Sequence, residues 1–192
     1  MPGEFQRLLV VNDYPPSTRA GASVILRQLL RRYDPEKLDI LCCSSWYENQ
    51  DDVVRNSFLP APHHPIPSAD IHRFRPRRVF VPLTIQWNYQ RVGRIVEAGR
   101  RLVRERSIEA IFTSTCNMEF SLAAARLARE FNLPLRIFET DDWVDANPKP
   151  LAWMLRPERA RSLKAAEKVW TTSPAMVRSH REKYGVDTDF LF

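Results

Sequence analysis

The segment of residues 7–33 constrains the fold most, because a short apolar run leads through a polar loop into a helix. Residues 7–11 are nearly all apolar, which is typical of a buried parallel strand. Residues 12–20 are rich in turn formers, and an amphipathic pattern begins at Gly21. Ligands of open α/β sheets bind at the carboxyl ends of the strands, and the N–H groups of a first helical turn favour anions. The segment therefore predicts a site for a phosphate-bearing ligand, with a purely structural turn as the alternative for a loop that holds a single glycine.

Strand-like and helix-like segments alternate along the whole chain. The predicted strands are 7–11, 38–43, 71–74, 108–113, 134–139, 168–172 and 188–192. The predicted helices after the first are 83–106, 118–131, 150–167 and 174–184. We expect Pro157 to break the third of these, Ser173 to cap the last and Gly185 to end it. Repeated βα units predict an α/β fold with a Rossmann-like, doubly wound parallel sheet.

Length and composition limit the classes of protein to which the chain can belong. A chain of 192 residues makes a single domain, 1–192, with a core of its own. It has no apolar run of membrane-spanning length and no signal-peptide pattern, and we expect it to be cytoplasmic. Cys42, Cys43 and Cys116 do not suggest a disulfide framework, and the spacing of Cys and His predicts no metal site.

Positive charge is concentrated in residues 72–106. This segment holds ten arginines, which run from Arg73 to Arg106, against Glu97 and Glu105. The apolar residues of its predicted helix follow the spacing of one buried face, to which Gly99 also belongs. We expect that stripe to face the sheet, while attraction of the arginines to an anionic membrane stays open. Nucleic-acid binding is the weakest interpretation, because no recognised motif accompanies the basic patch.

Two adjacent carboxylates, Asp141 and Asp142, directly follow a predicted buried strand. At the ligand-binding edge they could accept hydrogen bonds from sugar hydroxyls, act as a base or stabilise developing positive charge. The alternative is that they only cap the next helix. Trp143 could stack on a sugar, but packing against the protein is the simpler interpretation.

Other polar residues follow neighbouring strands. Ser114, Thr115 and Asn117 could donate hydrogen bonds to a ligand or could only cap the next helix, and Ser173 can cap the helix that follows it. His63 and His64 stand between prolines, which predicts a surface loop without a metal role, within an irregular segment 46–82. His180 falls in a predicted helix, where most histidines are structural or exposed.

The order of these features resembles the N-terminal domain of GT-B-fold glycosyltransferases, in particular the large retaining family-four group. Four segments carry the likeness, and they are 8–22, 108–131, 134–143 and 163–186. The first is similar to the family's opening strand and glycine-rich loop. The third is similar to its acceptor-side segment with an acidic end, and the fourth to the segment before the crossing into the second domain.

The resemblance implies transfer of a sugar from a nucleotide-sugar donor, with retention and without a cofactor. It implies that Arg19, Gly21, Ala22 and Ser23 approach a phosphate, and that Asp141 or Asp142 is catalytic. It also implies that the domain binds an acceptor, for which the candidate contacts are Ser114, Thr115, Asn117, Trp143 and Ser173. Family enzymes often attach to the inner membrane face through basic surfaces. Here Ala22 replaces a frequent second glycine, and Thr140 replaces a frequent histidine.

The resemblance also implies that the C-terminal donor-binding domain is absent from this chain, which we expect to be inactive alone. The alternative function is a non-catalytic partner subunit, which would dock on a separate donor-domain chain or on an anionic membrane.

Overall fold

The computed structural model describes residues 6–18, 21–48, 52–67, 81–114, 118–142, 144 and 149–191. Seven strands form one sheet within these residues. They are β1 (Leu8–Val11), β2 (Leu38–Cys43), β3 (His63–Ile66), β4 (Ala110–Ser114), β5 (Leu135–Glu139), β6 (Lys168–Thr171) and β7 (Asp189–Phe190). The apolar runs form strands because both faces of the sheet are covered, and every residue of β1, β2 and β4 is buried.

Helices connect these strands. They are α1 (Gly21–Leu30), α2 (Ser45–Glu48), α3 (Asp52–Arg55), α4 (Val81–Arg106), α5 (Met118–Phe131), α6 (Lys149–Ala165) and α7 (Pro174–Tyr184), with a 3-10 turn at Pro35–Lys37. Ser173 caps α7 by accepting a hydrogen bond from the amide of Met176. Gly185 ends α7 in the left-handed conformation, with φ of 63°. Both ends of this helix are therefore as the sequence predicted.

The sheet is parallel throughout, in the order β3-β2-β1-β4-β5-β6-β7. The chain winds outward from β1 in one direction through β2 and β3, and in the other through β4 to β7. The switch point therefore lies between β1 and β4, whose register pairs Leu8 with Ala110 and Val10 with Phe112. The predicted doubly wound α/β fold is confirmed, and open sheets of this kind generally bind ligands at the carboxyl ends of the strands beside the switch point.

Two apolar clusters hold the helices on the sheet. Helices α4 to α7 cover one face, where Leu9, Ile111 and Ile137 are buried. Helix α1 covers the other face through Leu26 and Leu30, against Val10 and Phe112. Gly99 lies in the buried stripe of α4 as predicted, where it allows close approach of Leu127 on α5.

The prediction that Pro157 breaks a helix is wrong. Helix α6 continues through this residue from Lys149 to Ala165. Proline removes the hydrogen bond to the carbonyl four residues earlier, which belongs to Trp153. Both residues lie on the exposed side of the helix, where water can satisfy that carbonyl.

The prediction of a surface loop at His63 and His64 is also wrong, since both belong to the edge strand β3. That strand pairs with β2, and His64 Nε2 lies 2.9 Å from Asp39 Oδ1. The Asp39 carboxylate is fully buried and also contacts Arg7 and Arg106, at 3.6 and 3.2 Å. A buried carboxylate needs such partners, and this need draws the strand onto the sheet edge. The strand predicted at 71–74 lies outside the described residues.

We expect Gly99→Ala to destabilise the fold by about 1–3 kcal/mol, because a Cβ there would lie 2.3 Å from Leu127 Cδ1 in a filled core. Gly93→Ala is the matched control in the same helix, since a Cβ there meets nothing within 4 Å. It should gain up to about 1 kcal/mol from helix propensity. Urea unfolding measures both, and a stabilised Gly99→Ala protein would contradict the packing described.

Burial lowers the pKa of His63 from 6.5 to about 4, so between these values the folded chain binds fewer protons than the unfolded chain. The free energy of unfolding should therefore fall as the pH falls through this window. The loss is on the order of 2 kcal/mol, allowing for partial exposure of the ring. His63→Phe, which keeps an aromatic ring against Phe58, should lose less. Urea unfolding at both ends of the window tests this, and equal losses in the two proteins would refute it.

Candidate functional site

The carboxyl edge of the sheet brings together polar segments from four adjacent strands. The segments follow β1, β4, β5 and β6, which are neighbours in the sheet although they are far apart in sequence. In chain order the described polar residues at this edge include Asn12, Ser114, Asp141, Asp142 and Ser173. The topology therefore places four of the predicted site residues, Ser114, Asp141, Asp142 and Ser173, along one edge.

The loop after β1 is held by hydrogen bonds of its own polar side chains. Asn12 Nδ2 donates to the carbonyl of Tyr14, at 3.0 Å. Ser23 Oγ donates to the carbonyl of Pro15 at 2.7 Å and lies 2.7 Å from Ser17 Oγ. The hydroxyl of Ser23 is therefore used within the loop. The backbone amide of Ser23 is the group of this residue that could bind an anion.

Helix α1 begins as the sequence predicted, with Gly21, Ala22 and Ser23 in its first turn. Gly21 has a φ of 41°, a left-handed conformation in which a residue with a Cβ is strained. The amides of a first helical turn have no acceptor within their own helix. Arg19, predicted to assist in phosphate binding, lies outside the described residues.

Ser114 is buried at the end of β4, where its Oγ lies 3.1 Å from the hydroxyl of Tyr14. This contact joins the loop after β1 to the end of β4 across the switch point. Tyr14 is itself buried and packs edge-on against Trp46, with ring centroids 6.0 Å apart. Thr115 and Asn117, the other candidates of this loop, lie outside the described residues.

The two adjacent carboxylates have different environments. Asp142 Oδ1 accepts from the amide of Val144 at 3.1 Å, and its Oδ2 accepts from the hydroxyl of Tyr184 at 2.7 Å. The ammonium of Lys183 lies 3.9 Å from the same Oδ2. Asp141 is exposed and forms no hydrogen bond or ion pair with the described part of the chain. Neither residue caps α6, which begins at Lys149.

Ser173 stands after β6, and its side-chain oxygen is used to cap α7. An acceptor could therefore contact Ser173 only through the part of this residue that stays exposed. Trp143, the candidate for stacking on a sugar, lies outside the described residues.

A buried polar cluster directly beneath this edge was not predicted from the sequence. Glu139 at the end of β5 is bonded to Arg159 of α6, and both side chains are fully buried. His180 Nε2 of α7 lies 3.2 Å from Glu139 Oε2. Arg159 also donates to Ser121 Oγ of α5 at 3.3 Å. An acidic residue that ends an apolar strand was the available signal for Glu139, whereas no local pattern marks Arg159 as buried.

Burial lowers the pKa of Arg159 to about 9, which still leaves its guanidinium protonated at neutral pH. The cluster is therefore a charged pair of Arg159 and Glu139, and His180 provides a further contact to the same carboxylate. It connects the end of β5 to three helices on one face of the sheet.

The basic segment is described only from residue 81 onward, so Arg73, Arg75, Arg77 and Arg78 lie outside it. Several arginines of α4 are engaged in ion pairs: Arg91 with Glu119, Arg100 with Glu97 and Glu130, and Arg106 with Asp39. Arg94 and Arg104 are exposed. The apolar stripe of α4 faces the core as predicted, and part of its positive charge is balanced within the fold.

Among the described residues, no group of three or more Asp, Glu, His or Cys side chains is placed to hold a metal ion. No helix in the described ranges is long and apolar enough to cross a membrane.

Comparison with known proteins identifies a family. The sequence profile of the glycosyl transferase 4-like domain matches residues 20–189. This match confirms the resemblance that the sequence indicated. No curated protein matches the chain at a significant level.

Solved structures with a similar fold include several glycosyltransferases. UGT2 of Phytolacca americana, complexed with UDP-2fluoro-glucose and pterostilbene, has a TM-score of 0.57 and 13% identity over 98% of this chain and 54% of that chain. The glycosyltransferase SsfS6 of Streptomyces sp. SF2575, complexed with thymidine diphosphate, has a TM-score of 0.50 and 15% identity over 88% and 49%.

The N-terminal domain of trehalose-6-phosphate phosphatase from Candida albicans has a TM-score of 0.58 and 14% identity over 100% of this chain and 49% of that chain. Identities this low show the shared fold alone. The chain spans about half the length of the solved structures it matches.

We expect Arg159→Leu to lower the free energy of unfolding by about 3–5 kcal/mol, because it leaves the buried Glu139 charge without its main partner. Arg161→Leu is the matched control on the same helix, where the side chain is exposed, and it should change stability by less than about 0.5 kcal/mol. Urea unfolding of both variants measures the difference. Equal effects at the two positions would show that the buried pair does not anchor α6.

Proposed function

Because this chain belongs to the glycosyl transferase 4-like domain family, we propose that it is the acceptor-binding half of a retaining glycosyltransferase. In this function a sugar passes from a nucleotide-sugar donor to an acceptor in a cleft. The carboxyl edge of this sheet forms one wall of the cleft, and a donor-binding domain, in the same chain or another, forms the opposite wall.

The observation that carries the proposal is the exposed carboxylate of Asp141 at the carboxyl end of β5. It stands one strand away from the switch point, where open α/β sheets bind their ligands. A carboxylate there can accept hydrogen bonds from acceptor hydroxyls or stabilise positive charge that develops on the sugar carbon. Asp142 is engaged by Val144 and Tyr184, so we assign the ligand-facing role to Asp141.

The first turn of α1 is the proposed phosphate contact. The amides of Gly21, Ala22 and Ser23 lie at a helix N-terminus beside the switch point, and such amides favour an anion. UGT2 and SsfS6, which share this fold, were solved with a uridine and a thymidine diphosphate compound respectively. A nucleoside diphosphate sugar is therefore the donor class that we propose.

We further propose a peripheral location on the inner membrane face, in which the exposed Arg94 and Arg104 of α4 contact anionic headgroups. Their exposed positive charge is the support. The Arg104 guanidinium also lies over the ring of Phe131, 5.8 Å from its centroid.

The test is turnover by the complete gene product that carries this chain, supplied in turn with uridine, guanosine and thymidine diphosphate sugars. One donor class should release its nucleoside diphosphate. Asp141→Asn should lower kcat/KM by about 100-fold or more, because it removes the charge while keeping the shape. The product's anomeric configuration reports retention.

Glu182→Gln is the control for that substitution, because it neutralises an exposed acid on α7 that has no contact with Asp141 or Asp142 in the described part of the chain. Its kcat/KM should stay within about twofold of the unsubstituted protein. The proposal fails if no nucleotide sugar is turned over, or if Asp141→Asn is as active as Glu182→Gln.

A further inference from the structure

The Asp142 carboxylate is bound from two directions. The amide of Val144 holds Oδ1 from within the same loop, and the hydroxyl of Tyr184 holds Oδ2 from the end of α7. Lys183 adds a positive charge at 3.9 Å. The Asp142 side chain retains only 11% of its exposure, so it is largely withdrawn from any ligand in the cleft.

Tyr184 is itself fixed by its surroundings. It is 4% exposed, and its ring packs edge-on against the ring of His180, with centroids 5.7 Å apart. His180 in turn contacts Glu139, whose carboxylate is paired with the buried Arg159. The helix ends directly after Tyr184, at the left-handed Gly185. The Tyr184 side chain is therefore positioned both by the end of the helix and by the packing of its ring against His180.

The spacing along α7 explains why one helix reaches both carboxylates. His180 and Tyr184 are four residues apart and therefore lie on the same face of the helix. That face contacts the end of β5 at Glu139 and the loop that follows it at Asp142. Helix α7 is thus attached to the β5 end at two points, one buried and one at the rim of the proposed cleft.

From this geometry we infer that Tyr184 is a positioning residue, which holds Asp142 so that the adjacent Asp141 faces the ligand. Glu139, Arg159 and His180 fix the helix from which Tyr184 acts. This role rests on the proposed function, since it assigns a task to the same loop. The two adjacent carboxylates then have different roles, because Asp142 fixes the loop whereas Asp141 contacts the substrate.

The first test is hydrogen exchange of the Val144 amide in the full chain, relative to the amide of Val10 in the central strand. Tyr184→Phe removes only the hydroxyl that holds Asp142, so we expect the Val144-to-Val10 exchange ratio to rise about tenfold. A general loss of stability would accelerate exchange at Val10 at least as much as at Val144, so it would not raise the ratio.

Tyr89→Phe is the matched control, because the hydroxyl of Tyr89 also donates to a carboxylate, that of Glu158 on α6. The Val144-to-Val10 ratio should not change in this variant. An unchanged ratio in Tyr184→Phe, or an equal rise in both variants, would overturn the inference.

The second test is turnover by the complete gene product. Tyr184→Phe should lower kcat/KM about tenfold, and Asp142→Asn should add little to that loss, because both substitutions break the same contact. Additive losses would overturn the inference. If the unsubstituted protein turns over no nucleotide sugar, the proposed function fails, whereas the exchange ratio still decides whether Tyr184 fixes the loop.

Discussion

The placement of helices α5, α6 and α7 depends on the contacts of one buried carboxylate, that of Glu139. It receives Arg159 and His180 from two helices, and Arg159 continues to Ser121 on the third. An unpaired charge in this position would cost several kcal/mol, so the three elements must meet at one point to satisfy it. That point lies directly beneath the carboxyl edge of the sheet. The contacts of Glu139 with Arg159 and His180 therefore fix the elements that position the proposed site.

A second buried carboxylate, Asp39, has a comparable role near the amino ends of the strands. It collects Arg7, His64 and Arg106, and so attaches the edge strand β3 and the end of α4 to the sheet. Apolar burial supplies the driving force of folding but is not directional. Hydrogen-bonded ion pairs are directional, and two of them at opposite ends of the strands fix how the surrounding elements lie against the sheet.

The structure of the loop after β5 adds detail that the family assignment does not contain. The chain belongs to the glycosyl transferase 4-like domain family, and its sheet has a switch point between β1 and β4 with polar residues at the carboxyl edge. The contacts of Asp142 with Val144 and Tyr184 add a distinction that family membership does not supply, because they leave Asp141 as the exposed carboxylate. Two identical neighbouring side chains thus acquire different environments from the helix packed beside them.

Because apolar periodicity and turn residues act locally, the amino-acid pattern alone predicted most strands and helices, the doubly wound fold and the edge at which polar residues gather. It also determined both ends of α7, through Ser173 and Gly185. It was wrong at Pro157 and His64, where an exposed helix face and a buried carboxylate decided the outcome. In contrast, the burial of Arg159 and the hydrogen bond from Tyr184 to Asp142 depend on how the helices pack in the folded chain. Their partners are distant in sequence, and a contact between distant residues leaves no local pattern.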